Sequence, residues 1–441
     1  MSTFYTADLV FVSGAFEPGM FVEVDDGQIV AVTAVPPPAP ATIQSFSGHA
    51  IFPGAVNTHC HSYLSLLRGK LDELALAAWL AEVYREVAVF DASAAYVGAL
   101  LAFGEMLRAG TTTVADFFYL NGAGNGNVRE ALRAARDLGM RVVMGRTLLD
   151  AEWGGPATRE SVATAETRFR ELAAEYRDDP LVTISPAPHS LYGSSRAMIE
   201  LAAGLAEDFD TMWYMHVSDS ASSTERVRRE LGGTSIELLK RWGVLSSRLV
   251  SVHGIWLTEA ELDLMGQCGG RLSYNCASNM FFAERIIVLA ELAKRGIRVG
   301  LGTDGAASNN ALSVFRDAQI AGLAQRVQVG RVTEMPTDTL IRLATRDGGT
   351  VLGQPVGLIE PGHRADFVAL DLSDPSLLPT AELKSHIVHS MAATAVRHVF
   401  CEGRQVVRDG QLVGVSQGDI AHQVNELRAR QVGNQAEIGT K

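Results

Sequence analysis

The sequence predicts an α/β fold: a (β/α)8 TIM-type barrel carrying a small β-sandwich domain made from both chain ends. Three observations lead there. Eight β-rich runs alternate with helix-forming stretches through the middle of the chain, both ends are β-rich, and several of the middle runs finish on histidine or aspartate. With 441 residues, 47% of them hydrophobic and 20% charged, the chain can bury a large core and is too long for one small domain.

Residues 1–53 read as the N-terminal part of the sandwich. The segments "ADLVFVSG" and "MFVEVDDGQIVAVTAV" are strand-like, Asp25-Asp26-Gly27 is a hairpin turn, and "PPPAPAT" is a loop. Residues 54–354 are the barrel. Its strands are "AVNTHCH", "TTTVADF", "RVVMGRTLL", "VTISPAPH", "TMWYMHV", "LVSVHG", "RLSYN" and "RVGLGTD". Between them lie helical stretches such as "ASAAYVGALLAFGEMLRAG" and "NVREALRAARDLG", the second stopping at Gly139 as helices often do. Eight such units in about 300 residues is the arithmetic of a closed barrel. The rival, an open doubly wound sheet, would be supported by a glycine-rich phosphate loop after a strand, and the sequence has none. Residues 355–441 return to β texture in "ADFVALDL" and "VRHVFCEGRQVVRDGQLVG", then run into a terminal helix and tail. The end strands could instead form two separate sheets.

Net charge is −12, with no block of Lys or Arg. Nucleic acid and anionic membrane are poor partners for such a surface. No apolar run reaches 18 residues, and "MSTFYTADLVFVSG" lacks the basic start and long apolar core of a signal peptide. Cys60, Cys268, Cys276 and Cys401 form no CxxC pair. A reducing, cytoplasmic setting is expected.

In a barrel, chemistry gathers at the C-terminal ends of the strands. Strand one ends in His59 and His61, and residues i and i+2 of a strand share a face. Strand four ends in His189, strand five in His216, strand six in His253 and strand eight in Asp304. A lone histidine at a strand end is ordinarily a hydrogen-bonded rim residue. Five with an aspartate, converging on one rim, offer the nitrogen and oxygen ligands that suit zinc and related divalent metals. Such an ion lowers the pKa of a bound water towards ~7. A carboxylate can take that water's proton, and a second acid can hand protons to a substrate nitrogen and its leaving group.

At these residues the sequence resembles the amidohydrolase superfamily, in the branch of cytosine, guanine and S-adenosylhomocysteine deaminases and triazine hydrolases. The matching segments are "FPGAVNTHCHSYLSLLRG", "SPAPHSLYG", "MHVSDS", "SVHGIWLTEAEL", "VGLGTDGAASNNALSVF" and the closing "GLIEPGHRADFVALDL". The resemblance implies that His59, His61, His216 and Asp304 ligate one divalent ion, zinc in the first place and iron(II) as the alternative. It makes His253 the residue that steadies the attacking water or the reacting carbon's oxygen, and Asp304 the base. His189 would line the substrate pocket, with Arg68 and Trp79 as looser candidates after strand one. Strand four offers no lysine to bridge a second metal.

Two departures stand out. The family's strand-five motif is usually His-x-x-Glu, its glutamate the proton shuttle; here the run is "HVSD", with Asp219 in that place. Strand seven often carries a His-Asn-Pro or His-Cys-Pro run; here "SYNCASN" has Tyr274 at the histidine's place and Cys276 at the proline's, and both are expected to face the pocket. The Gly/Asn-rich "FFYLNGAGNGN" after strand two is expected to shape the same rim. The leading functional expectation is a hydrolytic deaminase acting on a purine-, pyrimidine- or related heterocycle. The alternatives are a hydrolase of another C–N or C–halogen bond (formimino, cyclic amide or triazine), and a metal-free binding protein on the same scaffold. By the same resemblance the chain is expected to form a homo-oligomer.

Overall fold

A computed structural model describes residues 2–438. The eight middle runs are strands: Ala55–Cys60, Thr111–Phe118, Arg141–Leu148, Val182–Pro188, Trp213–Val217, Leu249–His253, Arg271–Tyr274 and Arg298–Leu301. The first four pair in one sheet and the last four in another, all in parallel. Two seams join the sheets into a barrel. Between strands four and five, the His216 N–H donates to the His189 carbonyl at 3.1 Å; between strands eight and one, the Asp304 N–H donates to the His59 carbonyl at 3.0 Å. Helices cover the outside, so these strands are buried almost throughout. The two helices read from the sequence run Ala92–Arg108, where the Asp91 carboxylate caps the Ala94 N–H, and Gly126–Leu138, stopped by Gly139 at φ 73°. That left-handed turn costs glycine least.

The chain ends share one nine-stranded sheet. The join is Thr42–Pro53, parallel to Thr3–Val12 and antiparallel to Phe367–Asp371. Two separate sheets are thereby excluded. The Asp25-Asp26-Gly27 hairpin is present, with φ of 45° at Asp26 and 73° at Gly27, the pair of positive angles a type I′ turn requires. The sheet closes over a small core of its own. The Tyr5 hydroxyl, on one flank, donates to the Gly403 carbonyl of the other at 2.7 Å, above a cluster of Val22, Ile51, Phe367 and Phe400. Barrel and sheet are tied at the base of strand three. There the buried Arg141 guanidinium pairs with Asp366 at 2.7 Å and with Glu402.

Candidate active site and metal centre

The first barrel strand slips register between Asn57 and Cys60, and such a bulge re-aims the side chains around it. Asn57 fixes the bulge to strand eight. Its Oδ1 accepts from the Thr303 N–H at 3.0 Å and the His59 N–H at 3.3 Å, while Nδ2 donates to Thr303 Oγ1 at 2.8 Å. His59 and His61 come to lie with ring centroids 4.6 Å apart. Beyond the strand, Asp116 accepts from the Ser62 N–H at 2.8 Å and the Ser62 hydroxyl at 2.5 Å, steadying the residue next to His61. His61 Nδ1 lies 2.6 Å from the Phe117 carbonyl, and His216 Nδ1 lies 2.9 Å from the His189 carbonyl. A carbonyl only accepts, so each Nδ1 carries the proton and each Nε2 keeps a lone pair.

Asp304 completes the cluster. Its Oδ1 is 3.5 Å from Nε2 of both His59 and His61, and its Oδ2 is 4.0 Å from His253 Nε2. The Gly305 N–H and the Ser278 hydroxyl donate to the two carboxylate oxygens at 2.7 and 2.6 Å. His253 and Asp304 have φ of 70° and 61°, left-handed backbone that is uncommon for residues other than glycine. Burial lowers the pKa of His59 and His216, and takes that of His61 down to about 3, with the neighbouring imidazoles adding to the effect. For Asp304 burial pulls the other way, but the imidazoles of His59, His61 and His253 beside it outweigh burial and hold the carboxyl well below the usual range. Neutral imidazoles around an ionised carboxylate are the states a metal cation needs.

The ligand atoms of His59, His61 and Asp304 all lie within 4.8 Å of one another, as do those of His59, His216 and His253. Buried His59 Nε2 has no hydrogen-bond partner, a condition that costs about 1–3 kcal/mol and that a cation there relieves. Nitrogen with carboxylate oxygen suits Zn2+ and Fe2+. The residues therefore fit one divalent ion.

A cavity opens over this cluster, bounded by His189, Tyr119, Asp219, Asn279, Phe282 and the apolar side of the helix Leu76–Val87. His189 is held by Ser190 Oγ at 2.8 Å and faces the Tyr119 and Trp153 rings at 5.1 and 5.2 Å. Burial takes its pKa down to about 3, so it is a neutral hydrogen-bonding group. Asp219 accepts from the Tyr192 hydroxyl at 3.2 Å and from the Ser223 hydroxyl.

Residues 50–406 match the Amidohydrolase family. The chain belongs to that family. Among its relatives are a 5'-deoxyadenosine deaminase of Methanothermobacter thermautotrophicus, 34% identical over 89% of this chain and 90% of the relative. A 5-methylthioadenosine/S-adenosylhomocysteine deaminase of Syntrophus aciditrophicus is 33% identical over 86% and 84%. An adenosine deaminase from Xanthomonas campestris with bound zinc superposes with a TM-score of 0.88 at 28% identity, over 97% of this chain and 98% of that one. An atrazine chlorohydrolase from Arthrobacter aurescens with zinc gives 0.89 at 22%, over 96% and 99%, which bears on fold alone.

In this amidohydrolase the residues expected at the strand ends do meet: His59, His61, His216, His253 and Asp304 form the cluster, and His189 and Asp219 line the cavity. Trp79 is in the cavity wall, its Nε1 donating to the Ala307 carbonyl at 2.9 Å. Arg68 is elsewhere. It makes an ion pair with Glu105 of the helix Ala92–Arg108, with about a third of its side chain exposed, and does not line the cavity. Tyr274 and Cys276 are also turned away. Side chains alternate along a strand: Ser273 points inwards to Thr58 Oγ1 at 2.6 Å, so Tyr274 points out to Gln325, at 3.2 Å, with the Cys276 thiol 3.1 Å from its hydroxyl. Of "FFYLNGAGNGN", Tyr119 reaches the cavity and the Gly/Asn part does not. Sequence reasoning missed Tyr119, directly after strand two, Tyr192, in the loop after strand four, and Asn279, in the helix Cys276–Phe281, all of which line the cavity.

Proposed function

We propose that this amidohydrolase is a metal-dependent deaminase of adenine nucleosides, replacing the exocyclic amino group by water and releasing ammonia. The observation that carries the reading is Asp219. It is a second carboxylate in the cavity, outside the histidine cluster and three residues beyond His216. Deamination needs such a pair: one group to accept the water's proton and hand it to the leaving amine, another to protonate the ring nitrogen. The substrate class follows the relatives named as deaminases of 5'-deoxyadenosine and of 5-methylthioadenosine and S-adenosylhomocysteine.

His59, His61, His216 and Asp304 would hold one Zn2+. When bound, the ion lowers the pKa of water towards ~7 and so supplies a nucleophile at neutral pH. Asp304, kept ionised by its neighbours, accepts the proton that this water loses. His253 turns Nε2 towards Asp304 and steadies the oxygen added to the ring carbon. Asp219 gives a proton to the ring nitrogen as the attack proceeds and takes one back from the added hydroxyl, while Asp304 hands the proton it accepted to the departing amine. Neutral His189 and the Tyr119 ring supply an aromatic wall for a planar base, and the apolar side of Leu76–Val87 keeps water out.

Zinc-loaded protein is to be assayed for ammonia release from 5'-deoxyadenosine, 5'-methylthioadenosine, S-adenosylhomocysteine and adenosine, beside cytosine, guanine, pterin, triazine and formimino compounds. Turnover of adenine nucleosides is expected, the base becoming hypoxanthine. No ammonia from any adenine nucleoside, with hydrolysis of a formimino or triazine compound instead, overturns the reading. We further infer a cytoplasmic homo-oligomer. Four unpaired cysteines support the reducing compartment, and light scattering of the purified protein tests the assembly. No helix among the described residues is long and apolar enough to cross a membrane.

A further inference from the structure

The seam between barrel strands four and five continues past the strands themselves. Beyond the His216–His189 hydrogen bond, Ser190 pairs with His216 as an isolated parallel bridge. Two residues further on, the Tyr192 hydroxyl donates to Asp219 Oδ2 at 3.2 Å. Both side chains line the cavity. Tyr192 is fastened without help from Asp219. Its carbonyl accepts from Trp153 Nε1 at 3.1 Å, its ring meets the His189 ring edge-on with centroids 5.6 Å apart, and the Arg226 guanidinium lies 5.5 Å from its centroid. Burial, with the charge of Asp219 adding to it, raises the pKa of the phenol well above its usual value, so the phenol keeps the proton it donates.

An aspartate carboxylate turns about a broad terminal torsion, so a contact through one oxygen leaves it free to swing. Asp219 is held through both. Ser223, in the helix Ala221–Leu231, donates to Oδ1, and Tyr192, from the loop after strand four, donates to Oδ2. Each oxygen accepts through two lone pairs, and one on each is left for a substrate. The two donors differ in what else they do. Ser223 shares a capping box with Ser220, which the helix needs whatever the chemistry. The Tyr192 ring and backbone are fixed by other contacts, and its hydroxyl gives its hydrogen bond to the carboxylate.

We propose that Tyr192 is a positioning residue for the proton shuttle: its hydroxyl, with that of Ser223, holds the Asp219 carboxylate in one orientation at the cavity. The proposal deepens the function proposed above and rests on the role given there to Asp219. The rival is a fastener of the seam, a bond that ties two loops together and to which the chemistry is indifferent. The two differ in what the bond acts through. An aiming bond matters only while residue 219 can carry a proton, whereas a fastener matters in any background.

The test is a double-mutant cycle of Y192F and D219N on zinc-loaded protein with 5'-deoxyadenosine, reading kcat and KM, with zinc content and melting temperature for each variant. Phenylalanine keeps the ring and removes the hydroxyl. Y192F should lose at least about tenfold in kcat, since a reacting group slightly out of place is costly, and keep KM within about twofold of wild type. On the D219N background the same substitution should change kcat by less than about twofold, because no shuttle is left to aim. Zinc content and melting temperature should match wild type. Should Y192F not fold, Y192M, which also lacks the hydroxyl, is read in the same cycle. Equal fold-losses in the two backgrounds, or a raised KM with kcat kept, overturn the proposal. So does a lowered melting temperature with kcat kept, the mark of a seam fastener. If wild type releases ammonia from no adenine nucleoside, the deaminase reading fails; if D219N turns over near the wild-type rate, the shuttle fails. Either is seen before Y192F is measured and takes this proposal with it.

Discussion

Asp219 is one methylene shorter than the glutamate usual at its place, and two hydroxyls, from Tyr192 and Ser223, grip its oxygens. A capping role is ruled out by the structure: the helix Ala221–Leu231 is capped by Ser220, which shares a capping box with Ser223. The two roles differ in size as well. A lost cap costs about 0.5–2 kcal/mol of stability, whereas a lost general acid costs about 10²–10⁴ in rate with the fold intact. Asp219→Asn should therefore keep its metal and melting temperature and lose at least about a hundredfold in kcat; turnover near the wild-type rate would remove the shuttle role. A second carboxyl, Asp317, tests burial alone. Burial pushes its pKa up to about 8, against the pull of Arg316 and the Asn309 hydrogen bond. The folded chain then holds a proton that the unfolded chain releases near its ordinary value of 3.8. Stability from this group is complete below that value and declines as pH rises towards about 8. Asp317→Asn should remove the decline, so its melting temperature should gain on wild type from pH 5 to pH 8; parallel curves would contradict the shift. At this scale the meeting of the histidines and Asp304 was legible because a strand end fixes where a side chain goes. Arg68 and Tyr274 were misread because proximity in sequence does not give direction: one looks out to Glu105, the other to the outer helix.

Among the elements, the barrel strands were the readable part, since each is a short β-rich run set between helix-forming stretches. Thr42–Pro53 was not. Its first half, "TIQSFSGH", is mostly exposed and without apolar alternation, and it is a strand because Thr3–Val12 and Phe367–Asp371 flank it. Pairing between distant segments leaves no local pattern. The tie between barrel and end sheet is equally non-local, joining Arg141 to Asp366, 225 positions on. Asp366 is fully buried in this pair, so Arg141→Met strands a charge. A loss of about 3–5 kcal/mol in urea unfolding is expected. Adding Asp366→Asn should recover part of it, because the two positions share one interaction. Additive losses would mean the pair is not the tie.

For the whole molecule, the informative feature is the pair of seams. The histidine–aspartate cluster spans both four-stranded sheets: His59 and His61 lie at the end of a strand of one, His216 and Asp304 at the ends of strands of the other, and the backbones of His59, His216 and Asp304 supply seam hydrogen bonds. A cation bound there joins the sheets at their open rim and stabilises the folded state by mass action. Chelation should lower the melting temperature and speed amide exchange at the two seams more than in the outer helices. His61→Ala should lose most of its metal by elemental analysis and copy the stripped pattern. Uniform exchange, or full metal content in that variant, would sink the arrangement.

One consequence concerns the history of such a chain rather than its chemistry. The same side chains answer to two selections, one for turnover and one for keeping the cylinder shut. A ligand substitution is judged twice, so these positions can drift only where some other fastener already closes the rim. Cavity-wall residues such as Phe282 and Tyr119 make no seam hydrogen bond, and there a new substrate can be tried at small risk.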